Sequence, residues 1–182
     1  MSQTTRIDSL ISSPSASFEQ PFEMLHACHE RMQRMLALLQ RLRDHMRSHG
    51  ADQQARDAAR DVLRYFGKAA PQHHLDEELH VFPPLAAGGD QATRALVGRL
   101  QQEHVQMEER WAVAQRVLEA VAEGRLQALG GADDTALQAF SGLYADHIAA
   151  EEGIAYPAAA ALLDAAGVQA MGQEMARRRN SG

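Results

Sequence analysis

Cysteine, basic charge and long apolar runs are all scarce in this chain of 182 residues. Because Cys28 is the only cysteine, no intramolecular disulfide can form, and we expect a reducing, cytoplasmic compartment. No apolar run is long enough to span a membrane, and the N-terminus lacks an apolar signal core. The net charge of −6 offers no basic face for nucleic acid. We therefore expect neither a membrane nor a nucleic acid as a partner.

Strand patterns are absent from the sequence as well. No segment alternates apolar and polar residues with β-branched enrichment. Apolar residues instead recur at helical spacing in four long segments separated by short loops. The length and the 45% hydrophobic content suit one domain with a real core. These features predict an all-α fold, an antiparallel up-down four-helix bundle with a short C-terminal helix.

Glycines and prolines set the predicted boundaries. The four long helices should end near residues 50, 82, 123 and 156, and a short Ala-rich helix should follow up to residue 167. Pro71 should kink the second helix just before His73, and the Pro83-Pro84 pair should stop it. We predict a flexible N-terminal arm over residues 1–18, the bundle over 19–166 and a C-terminal extension over 167–182, whose basic end should be exposed and frayed.

One pattern occurs twice along the chain. The sequence His-x-x-x-Glu-Glu-x-x-x-aromatic-Pro begins at His73 and again at His147, and a leucine and a phenylalanine precede each histidine by ten and seven residues. The segments before these two also match, because His29 and His104 have apolar residues at the same three offsets. The chain is thus a tandem pair of two-helix units. Each unit carries a lone histidine on its first helix and His-x-x-x-Glu on its second.

The repeated residues have the chemistry of a metal site. Residues four apart share one face of a helix, so each His-x-x-x-Glu presents an imidazole and a carboxylate to one point. Two octahedral metals need about twelve ligand positions, of which four imidazoles, two bridging carboxylates and a bridging oxygen fill about ten. A small molecule could bind at the rest. The expected site consists of His29, His73, Glu77, His104, His147 and Glu151.

The repeats resemble the hemerythrin-like, His-His-Glu cation-binding family. The resemblance covers about residues 20–160 and is strongest where Phe82-Pro83 and Tyr156-Pro157 follow the paired glutamates. It implies a four-helix bundle with a non-haem di-iron centre, bridged by oxide or hydroxide, in which zinc or manganese could replace iron. The four repeated histidines would then be metal ligands, with Glu77 and Glu151 as bridging carboxylates.

The third helix departs from the oxygen-carrying members of that family. Those proteins have His-x-x-x-His there, whereas this chain has His104-x-x-x-Glu108, closer to iron-centre repair and nitric-oxide-responsive members. Glu108 could bind a metal, bond to a bound ligand or face solvent, and we retain it as a candidate metal ligand. Glu78 and Glu152 are interpreted as surface or helix-pairing groups, with support of the metal ligands as the alternative. The five unrepeated histidines are interpreted as mostly solvated, with His26 and His80 as candidate neighbours of the site: His26, His45, His49, His74 and His80.

Four functions fit this sequence. The first is a di-iron protein that senses, scavenges or transiently binds O2 or NO. The second is an iron-handling protein that donates iron to damaged centres. The third is an enzyme for oxygen or peroxide chemistry, whose reductant would come from elsewhere. The fourth is a bundle with a structural metal only. We favour the first, and the sequence identifies neither a protein partner nor an enzymatic activity.

Overall fold

The chain folds into five helices, as seen in a computed structural model that describes residues 17–180. Most of the predicted arm, residues 1–16, lies outside the described residues. No strand occurs between residues 17 and 180, so the all-α class is confirmed. The helices are α1 (Pro21–His49), α2 (53–88), α3 (Gln91–Ala122), α4 (Gly131–Leu162, with a turn at 142–143) and α5 (Ala165–Asn180).

Local sequence explains where the helices begin and end. Asp52 and Asp90 cap α2 and α3, because their carboxylates accept the N–H groups of the residues three positions later, at 2.9 and 2.8 Å. At the start of α4, the Asp133 carboxylate accepts the Gly130 N–H at 2.9 Å. Gly50 ends α1 with a φ of 68°, a conformation that favours glycine.

The first four helices pack around one interior. Helix α1 contacts α2, α2 contacts α3, and α3 contacts α4, while the C-terminal part of α2 packs on the C-terminal part of α4. This arrangement fits the predicted antiparallel bundle. Two apolar clusters fill the interior, one around Phe66 and Phe140 and the other around Leu25 and Phe82. His29 follows Leu25 by one helical turn and precedes Met32 of the first apolar cluster, so it lies at their junction.

Three π-helical turns precede prolines within α2 and α4. They span Tyr65–Ala69 and Glu77–Val81 in α2 and Glu151–Ala155 in α4. The residue after each turn donates its N–H to the carbonyl five residues back, and a proline follows. A proline lacks an N–H and its ring crowds the carbonyl four residues earlier, so the wider turn accommodates it. The predicted stop at Pro83-Pro84 is therefore wrong, because α2 continues to residue 88.

The chain is helical through Asn180 rather than frayed there, which also corrects the prediction. Helix α4 runs to Leu162, and α5 then turns by 117° and contacts α1. Met171 and Met175 of α5 are buried in the apolar cluster around Leu25. A Cβ on Gly172 would lie 1.8 Å from the Phe18 carbonyl oxygen, so the close contact there requires glycine.

Within residues 17–180, no single helix combines the length and the apolar character needed to cross a membrane, although α4 and α5 pass that test as one bent pair, by length and composition only.

Candidate metal centre

Four buried side chains from three helices form what we call the first cluster. It consists of His29 from α1, His73 and Glu77 from α2, and Glu151 from α4. His29 Nε2 lies 3.2 Å from a Glu151 oxygen, and His73 Nε2 lies 3.3 Å from a Glu77 oxygen. The potential ligand atoms of all four lie within 4.8 Å of one another, a spacing that one metal ion can bridge.

A second cluster adjoins the first and shares one carboxylate with it. It consists of His104 from α3 with His147 and Glu151 from α4. His147 Nε2 is 3.0 Å from Glu151 Oε1, and the Nε2 atoms of His104 and His147 are 3.1 Å apart. The second oxygen of Glu77 lies 3.4 Å from His104 Nε2. Glu151 therefore belongs to both clusters, and Glu77 reaches from the first to the second.

Several buried polar atoms of these clusters have no hydrogen-bond partner. They are both nitrogens of His73, Glu77 Oε2 and both carboxylate oxygens of Glu151. Unpaired polar atoms are costly in an apolar interior, and a set of them that converges on one point is relieved by a cation. Imidazole nitrogen and carboxylate oxygen are ligands suited to iron, manganese or zinc. The donor set thus fits two bridged metal ions.

The metal-free centre compensates for its charge by holding protons. Burial lowers the pKa of His104, but contacts with Glu151 and Glu77 outweigh it and raise that pKa to about 10. Burial raises the pKa of Glu151, but contacts with His104, His147 and His29 outweigh it and hold that pKa well below its ordinary value. Burial lowers the pKa of His73. Cationic histidines thus neutralise the central carboxylate, and metal ions would displace their protons.

Three further carboxylates hold the outer nitrogens of the histidines. Nδ1 of His29 lies 2.9 Å from Glu152, and Nδ1 of His104 lies 3.0 Å from Glu78. These contacts connect different helices and support the alternative role of both glutamates, that of holding the ligand histidines. Their fixed place in both copies of the repeat is a sequence signal that could have indicated this role. Such carboxylates accept the Nδ1–H and direct Nε2 toward the metal.

The third of these carboxylates, that of Glu103, contacts the outer nitrogen of His147 and was not predicted. Glu103 lies 2.7 Å from His147 Nδ1 and precedes His104 on α3. Cys28 occupies the matching place before His29, so the repeat contains no second glutamate there. His73, the counterpart of His147, accordingly has no partner for Nδ1.

Tyr156 reaches the first cluster from α4. Its hydroxyl oxygen is 3.2 Å from His29 Nε2 and donates a short hydrogen bond to Glu77 Oε1. The tyrosine follows Glu151 by five residues, a separation that an α-helix would place roughly 140° around the axis. The π turn Glu151–Ala155 spreads one turn over more residues and brings the ring toward the site.

The structure does not bring the candidate ligand Glu108 into either cluster. Met107 takes the buried side of that turn of α3, whereas Glu108 is exposed. Glu108 instead lines what we call the His74 cavity, a space of about 30 Å³ with walls from Phe66, Ala70, Pro71, Met107, Trp111 and Tyr144. Six of the seven candidate ligands are thus together, and the exception faces a neighbouring cavity.

His74 is a second correction, because it is only partly exposed and packs against the second cluster. Its ring stacks on the ring of His104, with centroids 4.1 Å apart, and its buried Nε2 has no hydrogen-bond partner. Burial and the nearby His104 keep its pKa well below the ordinary value, so it is neutral. Nδ1 of His26 lies 3.3 Å from Oε1 of Glu152. The rings of His45 and His49 stack on each other.

Comparison with known proteins agrees with the geometry. The family model described as "Hemerythrin HHE cation binding domain" matches residues 20–159. An uncharacterized protein of Haemophilus influenzae is 33% identical over 165 residues, which cover 90% of this chain and 92% of that protein. The matched range contains every residue of both clusters.

Proposed function

The chain belongs to the hemerythrin HHE cation-binding family, and on that premise we propose that it is a non-haem di-iron protein that senses, scavenges or transiently binds O2 or NO. The two clusters would hold two iron ions. The observation that carries the proposal is the shared carboxylate: Glu151 contributes to both clusters, and Glu77 spans them. Two ions held by common carboxylates act as one centre.

Each metal position has two histidines and two shared glutamates around it. His29, His73, Glu77 and Glu151 surround the first position, whereas His104 and His147 with the two glutamates surround the second. With four protein donors, a metal that prefers six ligands keeps open positions. Bound iron would supply such a position and one-electron chemistry for a diatomic molecule.

The His74 cavity supports a small ligand. It holds about 30 Å³, which suits a molecule the size of water or a diatomic gas. His74 lines it and stacks directly on His104, so the cavity lies one ring away from the second cluster. Its other walls are mostly apolar, and apolar walls suit an uncharged gas.

The protein residues around the centre have definite tasks. Glu152, Glu78 and Glu103 orient three ligand histidines through their Nδ1 atoms. Phe66, Met107 and the surrounding apolar side chains limit the access of water. In the absence of metal, the same histidines hold the protons that balance Glu151.

The test is elemental analysis of the purified protein, with anaerobic absorption spectra before and after addition of O2 or NO. We expect close to two iron ions per chain and a spectrum that changes with the gas. In Ala70→Leu, which fills the His74 cavity, the reaction should slow, whereas Ala132→Leu, on an exposed face of α4, should leave it unchanged.

Other outcomes would assign a different function. Two tightly bound ions with no response to either gas would contradict the proposal and favour a structural metal. Iron that transfers readily to an apo-protein acceptor, again without a response to gas, would favour iron donation. Turnover of a substrate with an added reductant would favour an enzyme.

A further inference from the structure

The two halves of the repeat differ by one hydroxyl group at the centre. Tyr156 follows Glu151 by five residues, and Phe82 follows Glu77 by five. Each aromatic ring lies against the lone histidine of the other unit, with Tyr156 stacked on His29 at 5.4 Å and Phe82 tilted against His104 at 5.5 Å. The matching rings thus occupy matching places, and only the first cluster receives an oxygen atom.

That oxygen lies where a ligand would lie. It is 3.2 Å from His29 Nε2 and within hydrogen-bond distance of Glu77 Oε1, and both of those atoms belong to the first cluster. Tyr156 is 1% exposed, so water does not compete for the hydroxyl. An ion bonded to His29 and Glu77 would have this oxygen as its neighbour, and hard oxygen donors suit ferric iron.

We propose that Tyr156 is a metal ligand, whose phenolate oxygen binds the iron ion of the first cluster. This inference rests on the proposed di-iron function. As the oxygen–iron bond forms, the phenolic O–H bond breaks and its proton leaves to bulk water, while no electron is transferred. The first iron then has five protein donors and the second has four, so an external ligand is directed to the second iron, beside the His74 cavity.

An anionic oxygen donor also makes the two iron ions inequivalent in charge. A phenolate stabilises the ferric state of the ion that it binds. The first iron is therefore expected to stay ferric under mild reduction, while the second is reduced first. Phe82, which lacks the hydroxyl, gives no such preference to the second cluster.

The test uses the visible spectrum, because a phenolate bound to ferric iron gives a charge-transfer band and resonance-enhanced ring vibrations. The chain has three tyrosines, so Tyr65→Phe/Tyr144→Phe leaves Tyr156 as the only one. We expect the band and the vibrations in the wild type and in this double variant, and their loss in Tyr156→Phe at unchanged iron content. Phe82→Tyr should add a second, comparable band.

The iron content of each sample separates the possible failures. Iron-loaded wild type or double variant without the phenolate vibrations would refute the ligand assignment while leaving the di-iron proposal intact. A band that persists in iron-loaded Tyr156→Phe would refute it equally. If Tyr156→Phe does not fold, the double variant still decides the question. Wild type that binds no iron would overturn both proposals.

Discussion

A buried carboxylate beside the first cluster is held by two arginines of the C-terminal helix. Replacing these arginines should lower the stability of the protein by a predictable amount. Asp76 lies between His73 and Glu77 in the sequence, and its side chain is fully buried. Its oxygens accept hydrogen bonds from Arg178 at 2.6 Å and from Arg179 at 3.1 Å. We call these three residues the Asp76 latch. Helix α5 is thus attached to α2 by one carboxylate and two guanidinium groups.

The size of the effect follows from the burial of the partners. Loss of one arginine leaves the other in place, and both arginines are about one-fifth exposed, so Arg178→Ala or Arg179→Ala should each cost about 1 kcal/mol of unfolding free energy. The double variant leaves a buried carboxylate without a counter-charge, which costs about 3–5 kcal/mol. That loss lowers the melting temperature by roughly 6–20 °C. The double effect should exceed the sum of the single effects.

A third substitution distinguishes charge from packing. Adding Asp76→Asn to the double variant removes the uncompensated charge, so this triple variant should be more stable than the double. Denaturant unfolding of the iron-loaded proteins provides the free energies, with Arg116→Ala on an exposed turn of α3 as a control near zero. Additive single effects, or a triple variant no more stable than the double, would refute the latch.

Three further predictions follow from the centre and its surroundings. Chelation of the metal should lower the melting temperature by several degrees, since an ion that binds only the folded chain contributes about 2.7 kcal/mol at one hundred times its Kd; identical melting curves would contradict burial of the ligands. His147→Ala should lose one metal ion and Glu151→Ala both by elemental analysis, and full retention in either would contradict the shared site. Arg178 holds the pKa of Glu174 at about 2 against an ordinary value of 4.5. The stability that this carboxylate contributes is therefore present above pH 4.5 and is lost as the pH falls toward 2. The difference in unfolding free energy between the metal-free wild type and Glu174→Gln should vanish over that range, and a constant difference would argue against the ion pair.

The internal repeat made much of the centre predictable. A residue pair that recurs with its apolar neighbours at fixed offsets must occupy matching places in the fold, so the sequence alone pairs His73 with His147. The structure places both in buried clusters with Glu77 and Glu151. Helix class and most helix starts were predictable for a related reason, because periodicity and capping residues act locally.

What the sequence did not disclose depends on contacts between distant segments. His74 has no counterpart in the second unit, and only the packing of α2 on α3 shows that it stacks on His104. Arg178 belongs by sequence to a basic end that is expected to be solvated, yet α5 places it on Asp76, 102 residues away in sequence. Glu108 matches the helical spacing of a ligand, but the rotation of α3 presents Met107 to the interior instead.

The π turns determine what would be needed to transplant this site into another protein. A designer who grafted only His-x-x-x-Glu onto a regular α-helix would obtain the imidazole and the carboxylate in the right phase. The aromatic ring five residues later would then point away, because no residue has been added to the turn. The smallest transferable unit therefore runs through the proline, from His147 to Pro157. Deleting one residue between Glu151 and Tyr156 in the native chain should convert the turn to an α-helical one and keep the ring near the site, because the tyrosine would then follow the glutamate by four residues and share its face.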